Sequence, residues 1–144
     1  MPESDYVQTD LTLVGADHIR AYRESGGEVG YLWNGVPTLL LTVTGRRTGR
    51  ELTSALIFAR DGDDYVIVAS MGGAPMHPKW YLNLQDHPNA EIQVKDERIP
   101  VTARTATPAE KPRLWGLVTK VWPNYDVYQS RTERDIPVVV LSPS

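Results

Sequence analysis

The apolar, β-branched run Thr38 to Thr44 (TLLLTVT) cannot continue in a straight line, because Thr44 to Arg50 reads TGRRTGR and Leu52 to Arg60 reads LTSALIFAR. A run of the first composition is a buried strand, and two glycines around a pair of arginines make a turn, so the second run must return against the first. A chain that starts its regular structure with such a reversal is committed to antiparallel pairing.

The same alternation recurs downstream. Asp61-Gly62-Asp63-Asp64 is a hairpin signal, and Tyr65 to Ser70 (YVIVAS) follows as a third strand. Ala90 to Lys95 and Arg98 to Arg104 form another hairpin about Asp96-Glu97, and Val138 to Leu141 closes the chain as a sixth strand. Helices are fewer. Asp17 is positioned to cap a short one over His18 to Ser25, stopped by Gly26-Gly27, and a second spans Pro78 to Gln85. Thr107-Pro108-Ala109-Glu110 combines an N-cap, a proline at the first helical position and the acid of a capping box. That helix is predicted to run toward Val121 with Leu114, Leu117, Val118 and Val121 inward. Six short strands joined mainly by hairpins predict an α+β fold, a six-stranded antiparallel sheet closed into a small barrel. Residues 1–36 read as an N-terminal arm with a short helix, and residues 37–144 as the barrel of a single domain.

Several function classes are excluded or weakened by composition. The chain has no cysteine, which removes disulfides, thiolate nucleophiles and cysteine-ligated metals. Its three histidines, His18, His77 and His87, lack metal-ligand spacing, and no metal is expected. A net charge of −3 gives no general basic field for nucleic acid. No apolar run is long enough to span a bilayer, and MPESDYVQTD is unlike a signal peptide, so the expected location is the cytoplasm. No GxSxG, GxGxxG or Walker loop is present.

Three segments can carry chemistry. In TGRRTGR, glycines let backbone N–H groups converge, and arginines give bidentate contacts to phosphate or carboxylate. A solvated hairpin tip fits the local residues as well, but three arginines within five residues of an acidic chain favour a ligand. Ser70-Met71-Gly72-Gly73-Ala74-Pro75 ends a strand with small residues that let a flat ring approach, or simply connects to the helix bearing Lys79-Trp80-Tyr81-Leu82-Asn83. Trp122-Pro123-Asn124-Tyr125-Asp126-Val127-Tyr128 supplies stacking surface and phenolic hydroxyls, or packs a core.

Taken in order, TVTGRRTGR, LTSALIF, VASMGGAP, HPKWYLNL, VWPNYDVYQ and TERDIPVVVLSP resemble the deazaflavin-dependent nitroreductase family of actinobacterial F420H2-dependent reductases. The resemblance runs from Pro37 to Pro143 and rests on six motifs in the same order. It implies a split β-barrel of the flavin-reductase type. It also implies an enzyme that passes hydride from reduced coenzyme F420 to a small-molecule acceptor: a quinone, an enone, a coumarin-like lactone or a nitroaromatic. By position, Arg46, Arg47 and Thr48 would meet the phosphate and oligoglutamate tail of the cofactor. Leu52, Thr53, Ser54, Ala55, Leu56 and Ile57 would line the deazaflavin, as would Val68, Ala69, Ser70 and Met71. Lys79, Trp80, Tyr81, Leu82, Asn83 and Tyr125 would complete the cradle. Ser70 and Tyr128 match positions that face the substrate and help protonate it.

Two departures bear on specificity. The family's nitroreductase has tyrosines where this chain has Ile57 and Trp122, both bordering the substrate together with Tyr128. A less polar pocket is expected, suited to a quinone or enone better than to a nitroimidazole. The arm carries Glu3, Asp5 and Asp10, so little or no membrane contact is expected, with the protein a monomer or a homodimer. The competing readings are a non-catalytic F420 or FMN carrier with the same barrel, and a nucleic-acid binder, which the acidic charge disfavours.

Overall fold

A computed structural model describes residues 13–144, and the acidic positions Glu3, Asp5 and Asp10 of the arm lie outside them. The described chain opens with α1 (Gly15–Ser25), followed by β1 (Leu32–Trp33), β2 (Val36–Thr44), β3 (Glu51–Ile57), β4 (Ala59–Asp61) and β5 (Asp64–Val68). A single 3-10 turn (Met71–Gly73) leads to α2 (Lys79–Asp86), β6 (Asn89–Val94) and β7 (Glu97–Thr105). Then come α3 (Lys111–Val121), α4 (Asn124–Ser130) and β8 (Val138–Pro143). The fold is α+β, a curled antiparallel sheet with α3 and α4 on its outer side and Tyr81 and Leu84 of α2 packed into the core inside it.

β2 is the hub. It pairs with β3 along Thr38 to Thr44 and with β6 at Leu40 to Thr42, and Leu39, Leu40 and Leu41 are almost wholly buried. A strand hydrogen-bonded on both edges and covered on both faces must be apolar throughout, which is why TLLLTVT does not alternate. β5 and β8 do alternate, between two cores. Tyr65, Ile67, Val139 and Leu141 enter the core inside the curl, whereas Val66, Val68, Val138 and Val140 face α3 and α4 outside it. The cleft described below borders this outer core.

The six expected runs are all strands, but the sheet has eight strands rather than six. Leu52 to Arg60 is two strands because its halves have different partners: β3 pairs with β2, and β4 pairs with β5. Phe58 makes the corner. Its N–H bonds the Pro37 carbonyl, and its ring packs edge-on against Tyr31 and Tyr65. β1, a two-residue strand paired with β2 at Pro37 and Val36, carried no signal of its own.

The helix ends also differ in detail. α1 begins three residues earlier than expected, with Val14 at the cap position and Asp17 inside the first turn, where it pairs with Arg20. α4 was not anticipated as a helix. The capping box before α3 is formed in both directions. Glu110 Oε1 accepts the Thr107 N–H at 2.9 Å, and Thr107 Oγ1 accepts the Glu110 N–H at 3.4 Å. Leu114 and Val118 are buried on its inner face.

Candidate active site

A cleft of about 670 Å³ opens between the outer face of β3 and β5 and the helices α1, α2 and α4. Thr53 to Ile57 of β3 and Val68, Ser70 and Met71 at the end of β5 lie along it. Lys79 and Trp80 enter from the start of α2, and Trp122, Tyr125 and Tyr128 from the far side. Thirteen residues singled out from sequence thus converge: Thr53, Ser54, Ala55, Leu56, Ile57, Val68, Ser70, Met71, Lys79, Trp80, Trp122, Tyr125 and Tyr128. The volume falls in the range of small-molecule sites, roughly 300–1,000 Å³.

At one end the polar groups are few and oriented. Trp122, only 1% exposed, stacks obliquely on Trp33 with ring centres 5.6 Å apart, and its Nε1–H donates to the Tyr128 hydroxyl at 3.4 Å. That contact takes a lone pair of the phenol and leaves its proton for another acceptor. Tyr125 meets Tyr128 edge-on at 6.0 Å, and burial pushes its hydroxyl well above the usual phenol value, so it stays protonated. Ile57 and Trp122 contribute aliphatic and indole surface where tyrosines would have added hydroxyls.

The loop after β5 is held from behind. Its carbonyls lie beyond the last rung of the sheet and need other donors, and Arg134 supplies them. Nη2 donates to Ser70 O at 2.8 Å and to Ala69 O at 3.2 Å, and Nε donates to Ala74 O at 2.8 Å. Nη1 reaches Ala69 O at 3.2 Å and His77 Nδ1 at 3.0 Å. Met71 sits at φ 47°, a left-handed conformation for a side chain that is half exposed at the cleft mouth. Gly73, at φ 86°, packs on α4 so closely that a Cβ there would lie 2.5 Å from the Tyr128 carbonyl oxygen. The second glycine of SMGGAP therefore serves the approach of a helix rather than that of a ligand.

The arginine turn lies past the other end. Gly45 N–H bonds Arg50 O at 2.7 Å, closing the loop, and Arg50 N–H bonds Thr48 Oγ1 at 3.2 Å. Arg46 is tied to α2: its backbone N–H and its Nη1 both donate to Asn83 Oδ1, at 3.1 and 3.0 Å. Asn83 is 3% exposed, so this is a buried anchor. Arg47, Thr48 and Arg50 are exposed, and no arginine of the turn forms an ion pair among the described residues. Arg50 stands three residues from Thr53, about 10 Å along an extended strand.

Not every expected residue reaches the cleft. Ala69 and Tyr81 are buried in the inner core, and the Tyr81 hydroxyl meets Thr105 Oγ1 at 2.8 Å. Leu52, Leu82, Asn83 and the turn residues Arg46, Arg47 and Thr48 also lie outside its lining. Conversely, Val14, Gly15, Ala16, His18 and Ile19 of the α1 region, with Trp33, Thr38 and Pro78, line it without having been anticipated. His18 is fixed by a 2.7 Å bond to Gly30 O, and Trp33 Nε1 donates to Leu13 O at 2.7 Å. The polar, thin-faced sequence of α1 carries no sign that it would close a cleft wall.

These features correspond to a known group of proteins. A family model described as F420H(2)-dependent quinone reductase matches residues 16–143. The chain belongs to that family. An F420H(2)-dependent quinone reductase of Mycobacterium tuberculosis is 46% identical over 129 residues, covering 87% of this chain and 87% of its own. Among solved structures, one described as an F420-H2 dependent reductase (FDR-A) has a TM-score of 0.69 at 36% identity, covering 74% of this chain and 94% of its own. Another, described as a domain-swapped dimer, has the same score and identity and covers 80% of its own chain. The haem storage protein HutZ of Vibrio cholerae, at 13% identity and TM-score 0.56, shares the fold alone. No helix among the described residues of this family member is long and apolar enough to cross a membrane.

Proposed function

We propose that this protein is a cytoplasmic F420H2-dependent reductase of the split-barrel type whose acceptor is a quinone or a similarly flat, conjugated ketone. The observation that carries this reading is an apolar, aromatic-walled cleft with the hydroxyls of Ser70, Tyr125 and Tyr128 at one end and an exposed arginine turn past the other. The residues fit the cofactor: a flat ring is accommodated beside Thr53 to Ile57 and Trp80, and an anionic tail beside Arg47, Thr48 and Arg50. Arg46 supports that turn through Asn83. When bound, the reduced deazaflavin supplies a hydride.

The protein's own work is placement and charge control. The cleft walls would hold acceptor and donor at the near-attack separation that such a transfer needs, about 3–3.5 Å. As the acceptor gains electrons, its oxygen becomes negative. The Tyr128 proton, left available by the Trp122 contact, and the Ser70 hydroxyl meet that oxygen, and such donors contribute about 3 kcal/mol each in oxyanion sites. Tyr128 then gives its proton to the product oxygen and is reprotonated from water. Trp33 and Trp122 keep water from the buried side of the acceptor. With Ile57 and Trp122 in place of hydroxyl-bearing residues, nitro compounds are poorer acceptors than quinones.

The test is direct. Reduced F420 is mixed with the protein and a panel of quinones, enones and nitroimidazoles, and cofactor oxidation is followed by absorbance. Quinone turnover is expected. Micromolar F420 binding without turnover on any acceptor would replace the enzyme by a carrier, and tighter binding of FMN than of F420 would replace the cofactor.

A further inference from the structure

We infer that Arg134 is a positioning residue that sets the width of the acceptor end of the cleft, by fastening the Ser70–Met71 loop to the segment that follows α4. The inference rests on the reductase reading above and adds a residue to it.

All three guanidinium nitrogens of Arg134 are engaged, and every partner belongs to residues 69–77. The bonds fall on both sides of the Met71–Gly73 turn: Ala69 O and Ser70 O before it, Ala74 O and His77 Nδ1 after it. A planar fork with fixed angles therefore holds the neck of the loop, something a point charge on a flexible stem cannot do. Arg134 is itself held, because Gln129 Nε2 of α4 donates to its carbonyl at 2.8 Å, and Gln129 Oε1 accepts the Ile136 N–H at 3.0 Å. The chain from Tyr128 to Ile136 thus carries one wall of the acceptor end and clamps the other. Ser70 and Met71 stand on the clamped loop, and Tyr125 and Tyr128 on the helix. The separation of the two walls is set by this side chain together with the Gly73 contact and a 3.4 Å bond from Arg131 Nη1 to Gly72 O. The arginine turn lies at the other end and shares none of these bonds.

The experiment compares Arg134→Gln and Arg134→Lys with Asp135→Ala, which removes the neighbouring ion pair to Lys111 without touching the guanidinium or its supports. The measurements are melting temperature, F420 affinity by fluorescence, affinity of the cofactor-free protein for menadione by tryptophan quenching, KM and kcat with menadione, and amide exchange. Both Arg134 variants are expected to weaken menadione binding and raise its KM at least tenfold, with F420 affinity within about threefold of the unmodified protein. Amide exchange at residues 71–77 should quicken in both. Asp135→Ala is expected to leave menadione affinity and KM within about twofold of the unmodified protein. Unchanged menadione affinity and KM in a folded Arg134→Lys protein would overturn the inference, as would an equal rise in KM in Asp135→Ala. If the unmodified protein turns over no quinone, the reductase reading itself fails first, and that result is read before any variant is made.

Discussion

Gly72 and Gly73 are adjacent, share a left-handed backbone, and differ in what surrounds them, so replacing each by alanine separates two effects. At Gly72, φ is 65° and nothing lies within 4 Å of an added Cβ. The cost there is the left-handed strain alone, about 1 kcal/mol for a single residue. At Gly73, φ is 86° and the Cβ would meet Tyr128 O at 2.5 Å, Arg131 Cβ at 3.0 Å and Tyr128 Cα at 3.1 Å. Two of these atoms are backbone of α4, so the helix or the loop must retreat by several tenths of an ångström. Forcing atoms into a packed site adds about 1–3 kcal/mol. The total for Gly73→Ala is then about 3 kcal/mol against about 1 kcal/mol for Gly72→Ala. For a chain of this size that corresponds to melting temperatures lowered by roughly 6–12 °C and 2–4 °C respectively. Urea unfolding of both variants gives the difference, and quinone KM gives its consequence, since moving α4 moves Tyr125 and Tyr128. Stabilities within about 0.5 kcal/mol of one another would show that the α4 contact is not tight and would refute the argument.

Other consequences follow from the same geometry. Arg47→Ala should weaken F420 binding by about 10- to 100-fold, the value of one or two charge-assisted bonds, with a smaller effect on hydride transfer at saturation. Unchanged affinity by fluorescence titration would make the turn a solvated hairpin. Asn83→Leu removes the buried acceptor of two Arg46 donors and should cost about 2–3 kcal/mol in urea unfolding, with weaker F420 binding as the turn loosens. His77 is held below its ordinary value near 6.5, first by burial and then by the Arg134 charge, so the folded state binds fewer protons than the unfolded chain. Its contribution to stability is complete above that pH and is lost as pH falls through the folded value. Melting curves from pH 8 to 5 should show the decline, and His77→Asn, whose Oδ1 can accept from Arg134, should flatten it. Glu110, held at about 2 chiefly by Arg104, loses its stabilising effect only as pH falls from 4.5 toward that value, so Glu110→Gln should change acid stability below pH 5 and leave neutral pH behaviour of the cleft intact.

How much of this was legible beforehand differs from element to element. Local rules sufficed where the decisive partners are close in the chain. The Thr107–Glu110 capping box spans three residues and forms as expected. The Asp61–Asp64 hairpin pairs those two residues across a Gly62 at φ 61°. Apolar runs declared the strands because a strand buried on both faces has no other composition available. The six motifs in order, carried by their resemblance, placed the cleft's floor and its aromatic wall.

Tertiary structure alone decided the rest, and the reason is the same each time: the deciding contact joins residues far apart in sequence. Leu52 to Arg60 carries no turn residue and reads as one strand, and only its two different partners, β2 and β5, break it at Phe58. Local sequence offers Arg46 to a ligand, and its tie to Asn83, 37 residues away, is visible only in the fold. Gly73 was read as room for a ring, and what fills the room is the backbone of Tyr128. α1 shows a thin apolar face because much of what it covers is an open cleft rather than a core. Arg134 lies within TERDIPVVVLSP, but nothing local shows that carbonyls 60 to 65 residues earlier lack strand partners. The sequence by itself thus determined the antiparallel hairpins, the capping box before α3 and the family, all of which depend on near neighbours or on order along the chain. Which side chains hold the cleft open, and which merely hold one another, was decided by packing.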